Sequence, residues 1–390
     1  MTGRLDIRQV VEVVRGVVGV ADSVALHEPE FSGNEKTYLN DCIDSTFVSS
    51  VGEFVDRFEA MLSARTGSRH AIACVNGTAA LQVALQLAGV RANDEVIVPA
   101  LTFVATANSV SFLAAVPHFV DSESRTLGLS ASALAERLDA VGERGPHGVR
   151  NAQTGRRIAA IVPMHAFGHP VDLAGLLEVA EAWNIPVVED ATESVGTLYR
   201  NRHTGTFGLL SALSFNGNKI ITTGGGGAIL TGDDELARRA KHVTTTAKLP
   251  HRWAFDHDEI GYNFRLPNLN AALGCAQLEQ LDGFVARKRR LADQYRAAFC
   301  HVSGIQVFVE PEGARSNYWL NALLLDESET EQRDKLLDEL NDAGVMSRPA
   351  WTLLHRLPMY CECPRGHLLV AEGLGRRIVN VPSSARLGHA

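Results

Sequence analysis

Lys219 stands five residues after a hydroxyl and just before a run of glycines. The stretch reads Ser214-Phe215-Asn216-Gly217-Asn218-Lys219, then Ile220-Ile221-Thr222-Thr223 and Gly224 to Gly227. Upstream, the apolar run Ile185-Pro186-Val187-Val188 ends in Glu189-Asp190. A lysine amine condenses with an aldehyde, a carboxylate pairs with a protonated ring nitrogen, and a hydroxyl holds a phosphate. Pyridoxal phosphate (PLP) requires those three groups. A lone loop lysine is more often a surface residue than a catalytic one, so the reading depends on the rest of the chain.

Val75-Asn76-Gly77-Thr78-Ala79-Ala80-Leu81 reads as a strand, a turn and a helix start. Gly77 permits a close approach, and Thr78 and Ala79 offer backbone N–H groups at a helix N-terminus, a place for the cofactor phosphate. The plain alternative is a capped core helix. Phe103, after the next strand, can stack on a flat ring or fill the core. Asp190 would keep the ring nitrogen protonated, so that the ring withdraws electrons from the α-carbon. Lys219 must be a neutral amine for part of the cycle to carry a proton. Glu193, three residues past Asp190, is within reach of the ring hydroxyl or a water beside it. Thr78, Phe103, Asp190 and Lys219 all fall at or near strand C-terminal ends, where open α/β sheets bind ligands.

The elements that must position these groups alternate between residues 70 and 230. Ala71 to Val75, Glu95 to Val98, His118 to Asp121 and Ile158 to Val162 read as strands; Thr78 to Leu87, Ala105 to Leu113 and Leu173 to Ala182 read as helices. This predicts an α/β fold with a largely parallel sheet covered on both faces. Segment 142–157 reads as an exposed loop. Past residue 265, a long helix over 268–296, strand-like pieces and a helix over 329–343 predict a smaller α/β unit. The expected organisation is an N-terminal docking helix over 1–20, a large PLP-binding domain over 21–265 and a small C-terminal domain over 266–390.

Composition narrows the class. The 390 residues carry a net charge of -8, which argues against a general nucleic-acid surface. The N-terminal apolar stretch is broken by Glu12 and Arg15, and no run reaches transmembrane length, so no membrane partner is expected. Cys42, Cys74 and Cys275 lie in apolar patterns and read as core residues. Sparse cysteine usage suits a reducing cytoplasm. Cys361-Glu362-Cys363 is spaced too tightly for zinc and has no second pair, so no metal is expected.

The chain resembles the DegT/StrS-type sugar-nucleotide aminotransferases. The resemblance rests on Asn76-Gly77-Thr78-Ala79-Ala80, Thr102-Phe103-Val104-Ala105-Thr106, Glu189-Asp190-Ala191, Ser214-Phe215 with Lys219, and Gly261-Tyr262-Asn263-Phe264-Arg265. It implies the fold type I, aspartate-aminotransferase-like architecture. Within the family, Phe31-Ser32-Gly33-Asn34-Glu35, Met164-His165-Ala166-Phe167-Gly168-His169-Pro170 and Ser316-Asn317-Tyr318-Trp319-Leu320 are similar to the legionaminic-acid-pathway branch. The resemblance implies that Lys219 is the Schiff-base lysine, Asp190 pairs with the pyridinium nitrogen and Phe103 stacks on the ring. It further implies that Thr78, Ala79 and Ser214 hold the phosphate, and that Asn263 reaches a phosphate across a homodimer interface. Glutamate would be the amino donor, and C4 of a UDP-linked 4-keto-6-deoxy-N-acetylhexosamine the acceptor. Two departures stand out: only glycines fill Gly224 to Gly227, where many relatives carry an acid, and Glu193 replaces the usual Gln or His. The lysine is retained, unlike in the relatives that became dehydratases.

The loop Thr244 to Trp253 supplies Lys248, His251 and Arg252 beside Trp253, a set suited to a nucleotide diphosphate and equally to a solvated loop. Arg348-Pro349-Ala350-Trp351 can close over the sugar or the donor, although packing of the small domain is the preferred reading of Trp351. Three other readings remain: the same chemistry on a GDP- or dTDP-linked keto sugar, a non-catalytic PLP-binding regulator, and a nicotinamide-dependent oxidoreductase. An intact Lys219–Asp190 pair argues against the second. The third lacks a GxGxxG opening a helix after the first strand.

Overall fold

The computed structural model describes residues 4–19 and 22–388. Its central strands are β1 (His70–Cys74), β2 (Glu95–Pro99), β3 (Val116–Val120), β4 (Arg157–Ile161), β5 (Val188–Asp190), β6 (Leu210–Ser214) and β7 (Gly227–Thr231). They lie in the order β1-β7-β6-β5-β4-β2-β3. Parallel bridges of Ile161 with Val187 and of Met164 with Asp190 join β4 to β5. Of these seven strands, β7 alone runs against its neighbours. Strands β2, β6 and β7 are buried at every position, as expected of a sheet covered on both faces.

Four helices matter for the site: α1 (Ile7–Val18), α2 (Gly77–Leu87), α3 (Val104–Ser111) and α4 (Asn268–Phe299). The side chain of Asp6 caps α1 by accepting from the Arg8 and Gln9 amides, and Ile7, Val10, Val14 and Val18 form its buried stripe. The helix expected over 1–20 thus forms over Ile7–Val18, while residues 1–3 and 20 lie outside the described residues.

Segment 142–157 is a hairpin, not the expected loop. Gly142–Gly145 pairs with Gly148–Asn151, and the second arm pairs with the start of β4. Gly148 takes a φ of 102°, which suits the tight reversal at Pro146-His147. Val149 and Asn151 alternate inward, a short period-two pattern hidden among the Gly and Arg residues.

The C-terminal part adds an antiparallel sheet of β8 (Ile305–Val307), β9 (Asn321–Leu325), β10 (Arg348–Pro349) and β11 (Ile378–Val381), in the order β8-β9-β11-β10. The 32-residue α4 belongs to two cores. Its first half packs Ala271, Cys275 and Leu278 with Phe54, Phe58 and Phe215. Its second half packs Leu291, Tyr295 and Phe299 with Val10, Val14 and Val379. The expected boundary at 265 falls just before this helix. No helix among the described residues is long and apolar enough to cross a membrane.

Candidate active site

A cleft of 260 Å³ opens at the C-terminal ends of β1, β2, β5 and β6. Gly77, Thr78, Phe103, Asp190, Glu193, Ser214 and Lys219 all line it, so seven of the residues singled out in the sequence meet in one place.

Asp190 ends β5 and is buried. Its Oδ2 accepts from Thr106 Oγ1 at 2.7 Å, and its Oδ1 accepts from Thr192 Oγ1 at 2.7 Å and from the Thr192 amide at 3.2 Å. A carboxylate offers about four acceptor positions, so these three donors fix its plane and leave one position on Oδ2. Lys219 Nζ lies 3.3 Å from Glu193 Oε1 and 4.1 Å from the centre of the Trp319 ring.

Two buried glutamates show how hydrogen bonding decides a charge state. Burial raises the pKa of Glu189, but His165 and the amides of Gly205, Phe207 and Gly208 outweigh it and hold the carboxyl below its ordinary value. Glu193 has one backbone donor, the Phe167 amide at 2.9 Å. There burial outweighs Lys219 and that amide, and with Asp190 nearby the pKa rises to about 7. Glu189 is therefore a structural anchor, and Glu193 can gain or lose a proton near neutrality.

Glycines allow the strand ends to close up. A Cβ on Gly77 would meet Ser214 Cβ at 2.8 Å, and one on Gly227 would meet the backbone of Asn76 and Gly77 at 2.4–2.6 Å. The start of antiparallel β7 is thereby wedged between the ends of β1 and β6, facing Cys74 and Ser214. The cofactor phosphate was expected to use the Ala79 amide, but Asn76 Oδ1 takes that N–H at 2.8 Å as the α2 N-cap. Ala79 is buried and does not line the cleft. An asparagine directly before the helix was the signal for this cap. The Gly77 and Thr78 amides have no protein acceptor among the described residues.

Sequence reading missed much of the wall. Trp319 Nε1 donates to the Asn218 carbonyl at 2.7 Å and lays its ring beside Lys219. Trp351, expected to pack the small domain, packs there against the core of Ala350, Leu353 and Leu374 and also lines the cleft; it stacks on Phe167 at 4.7 Å and sits 6.4 Å from Phe103. Phe167 has a φ of 58°, uncommon for a bulky residue, and this backbone turns its amide to Glu193 and its ring to Trp351. Nothing local in the sequence marks these contacts, apart from the Gly168-His169-Pro170 turn directly after Phe167.

Lys248, His251, Arg252 and Asn263 do not line the cleft of their own chain. His251, Arg252 and Asn263 are exposed. Lys248 Nζ stands over the Phe255 ring at 3.8 Å, and the His251 and Trp253 rings meet edge to face at 4.6 Å.

The residues fit PLP. One open acceptor position on a buried aspartate suits a pyridinium N–H, a lysine stands beside it, and free helix-start amides with the Ser214 hydroxyl form an anion cradle that a methyl at Gly77 would fill.

Residues 29–390 match the DegT/DnrJ/EryC1/StrS aminotransferase family. The chain is similar to proteins named GDP-perosamine synthase: 37% identical over 366 residues in Escherichia coli O157:H7 (94% of each chain), and 37% over 370 residues in Caulobacter vibrioides (94% of this chain, 95% of that one). Its fold resembles the crystal structure of the aminotransferase TlmJ from Streptoalloteichus hindustanus, with a TM-score of 0.83, 28% identity and 93% of each chain covered. These sequence relatives do not carry the legionaminic-acid assignment expected from the motifs; their names point to GDP-linked chemistry. The chain belongs to the DegT/DnrJ/EryC1/StrS family and is a PLP-dependent sugar-nucleotide aminotransferase.

Proposed function

We propose that the chain transfers the amino group of glutamate to C4 of a GDP-linked 4-keto-6-deoxy sugar, leaving 2-oxoglutarate and a GDP-linked amino sugar for surface-polysaccharide assembly. The observation that carries the transfer is the meeting of Lys219, Asp190 and Glu193 in one cleft at adjoining strand ends. The GDP carrier, in place of the UDP carrier first expected, is supported by the names of the two relatives that share 37% of their residues with this chain.

Asp190 would hold the pyridinium nitrogen, Gly77, Thr78 and Ser214 the phosphate, and Phe103 one ring face. When bound, PLP supplies an electron sink at the carbon that loses its proton. Lys219 Nζ takes the proton from the donor's α-carbon and delivers one to the sugar carbon that gains nitrogen. Glu193 Oε1, 3.3 Å away, steadies the ammonium between these transfers. Trp319, Trp351 and Phe103 limit water around the amine.

We read the enzyme as a homodimer with shared sites, in which Asn263 reaches the partner's phosphate. Phe31, Phe47 and Val51 are 55%, 58% and 66% exposed, large apolar side chains that a second copy would cover. The diphosphate is assigned to Lys248, His251 and Arg252. Six free cysteines support a cytoplasmic location. Glutamate-driven amination of GDP-, UDP- and dTDP-linked 4-keto-6-deoxy sugars, followed by mass spectrometry, tests the reading. GDP sugar should be the preferred acceptor by kcat/KM; preference for another carrier overturns the assignment.

A further inference from the structure

A second cavity, of 500 Å³, shares Asn218, Trp319 and Trp351 with the cleft. Its other polar lining comes from His27, Arg348, Thr352 and Asn380, and no aspartate or glutamate lines it among the described residues. Both ring nitrogens of His27 and the side-chain carbonyl of Asn380 are buried without a hydrogen-bond partner among the described residues. Such groups cost free energy while they stay unpaired, and a carboxamide can present either end to a ligand. Arg348 donates to the Ser347 carbonyl at 2.9 Å and has no carboxylate partner among the described residues. Burial, with Lys288 and Lys219 nearby, holds His27 well below its ordinary pKa, so the ring is neutral and offers one N–H.

We propose that this chamber receives the side-chain carboxylate of the amino donor, held by Arg348 and His27, and that it makes the enzyme selective for a dicarboxylic amino acid. The inference rests on the aminotransfer reading. The donor's α-carboxylate is bonded to the reacting carbon and must stay in the cleft with Lys219. The proposal places a second carboxylate, two methylenes farther on, beyond the Trp319–Trp351 wall that the two cavities share. A single guanidinium with one neutral N–H donor matches one carboxylate better than a doubly charged diphosphate.

The test uses PLP-loaded enzyme. Arg348→Gln should raise the glutamate KM about 10- to 100-fold, since a charge-assisted hydrogen bond is lost, with little change in kcat or in the KM for the nucleotide sugar. The preference for glutamate over glutamine, its neutral isostere, should collapse in step. Arg348→Lys should recover part of both. Calorimetric titration with glutarate, a dicarboxylate without an amine, reads the chamber without turnover; Arg348→Gln and His27→Phe should each weaken it. Unchanged glutarate affinity and an unchanged glutamate preference in Arg348→Gln overturn the proposal, as does a loss confined to GDP-sugar binding. If no nucleotide sugar is aminated while glutarate binding still depends on Arg348, the transfer reading fails and the carboxylate site stands.

Discussion

Glu193 Oε1 lies 3.3 Å from Lys219 Nζ, so a carboxyl that burial pushes up to about 7 faces the amine proposed to carry the proton. The pair sits at the junction of two strand ends, and its behaviour can be read by stability as well as by turnover.

In the cofactor-free protein, the folded pKa of Glu193, about 7, lies above the ordinary 4.5. The fold binds this proton more tightly than the unfolded chain does. That contribution is complete below pH 4.5 and is lost as pH rises through 7. Glu193→Gln removes the titration. Wild type should therefore lose up to about 3 kcal/mol between pH 4.5 and 7.5 that the variant keeps. Thermal melts across that window check it; parallel Tm curves for the two proteins would contradict the assignment.

Borohydride treatment of the PLP-loaded protein should fix the cofactor to Lys219, as read by peptide mass mapping. Lys219→Ala should still bind PLP, without the covalent bond, and lose turnover by about a thousandfold or more. A label on another lysine would remove Lys219 from its role.

Gly77→Ala should weaken PLP binding more than tenfold and destabilise the fold by about 1–3 kcal/mol, because the added methyl meets Ser214 and Thr192 at 2.8 and 3.1 Å. Gly225→Ala is the control, since a Cβ there meets nothing within 4 Å. Absorbance titration with PLP and chemical denaturation separate the two effects. Equal behaviour of the two variants would show that the strand ends have room for a methyl.

Arg252→Ala should raise the KM for the keto-sugar nucleotide about ten- to a hundredfold and leave the glutamate half-reaction nearly unchanged. Arg252 is exposed and outside the cleft of its own chain, so the effect requires a neighbouring subunit or a movement of the loop. Stopped-flow absorbance with glutamate alone isolates the first half; equal slowing of both halves would reassign the loop.

Mixing inactive Lys219→Ala subunits with inactive Asn263→Ala subunits should restore part of the activity, because one site of each heterodimer keeps both residues. Absence of recovery after proven subunit exchange would count against shared sites.

Most of the cleft was legible because its chemistry lies in short motifs. Gly77 and Asp190 come after or end strands that apolar runs make visible, Ser214 and Lys219 were marked by their own motif without the strand β6 before them being read, and a parallel sheet collects such ends on one side. The aromatic wall was not legible. Trp319 meets Asn218 across 101 residues and Trp351 meets Phe167 across a far longer span, and no local period encodes such meetings. Thr106 illustrates the middle case: it lies within a motif already noted, yet its bond to Asp190 appears only once the start of α3 is set beside the end of β5. The hairpin over 142–151 was missed because its inward alternation involves only two residues, Val149 and Asn151.

The two-core helix α4 leaves the chain without a place to be cut. A fragment ending before Asn268 would bare Phe54, Phe58 and Phe215, and one beginning there would carry Ala271, Cys275 and Leu278 with nothing to cover them. Dissection at 265 would thus yield two sticky halves and no autonomous modules. The first turns of α4 wall the PLP-binding sheet although they come after it in the chain. A recombination event that swapped the C-terminal third for a relative's would have to match an apolar face as well as a substrate.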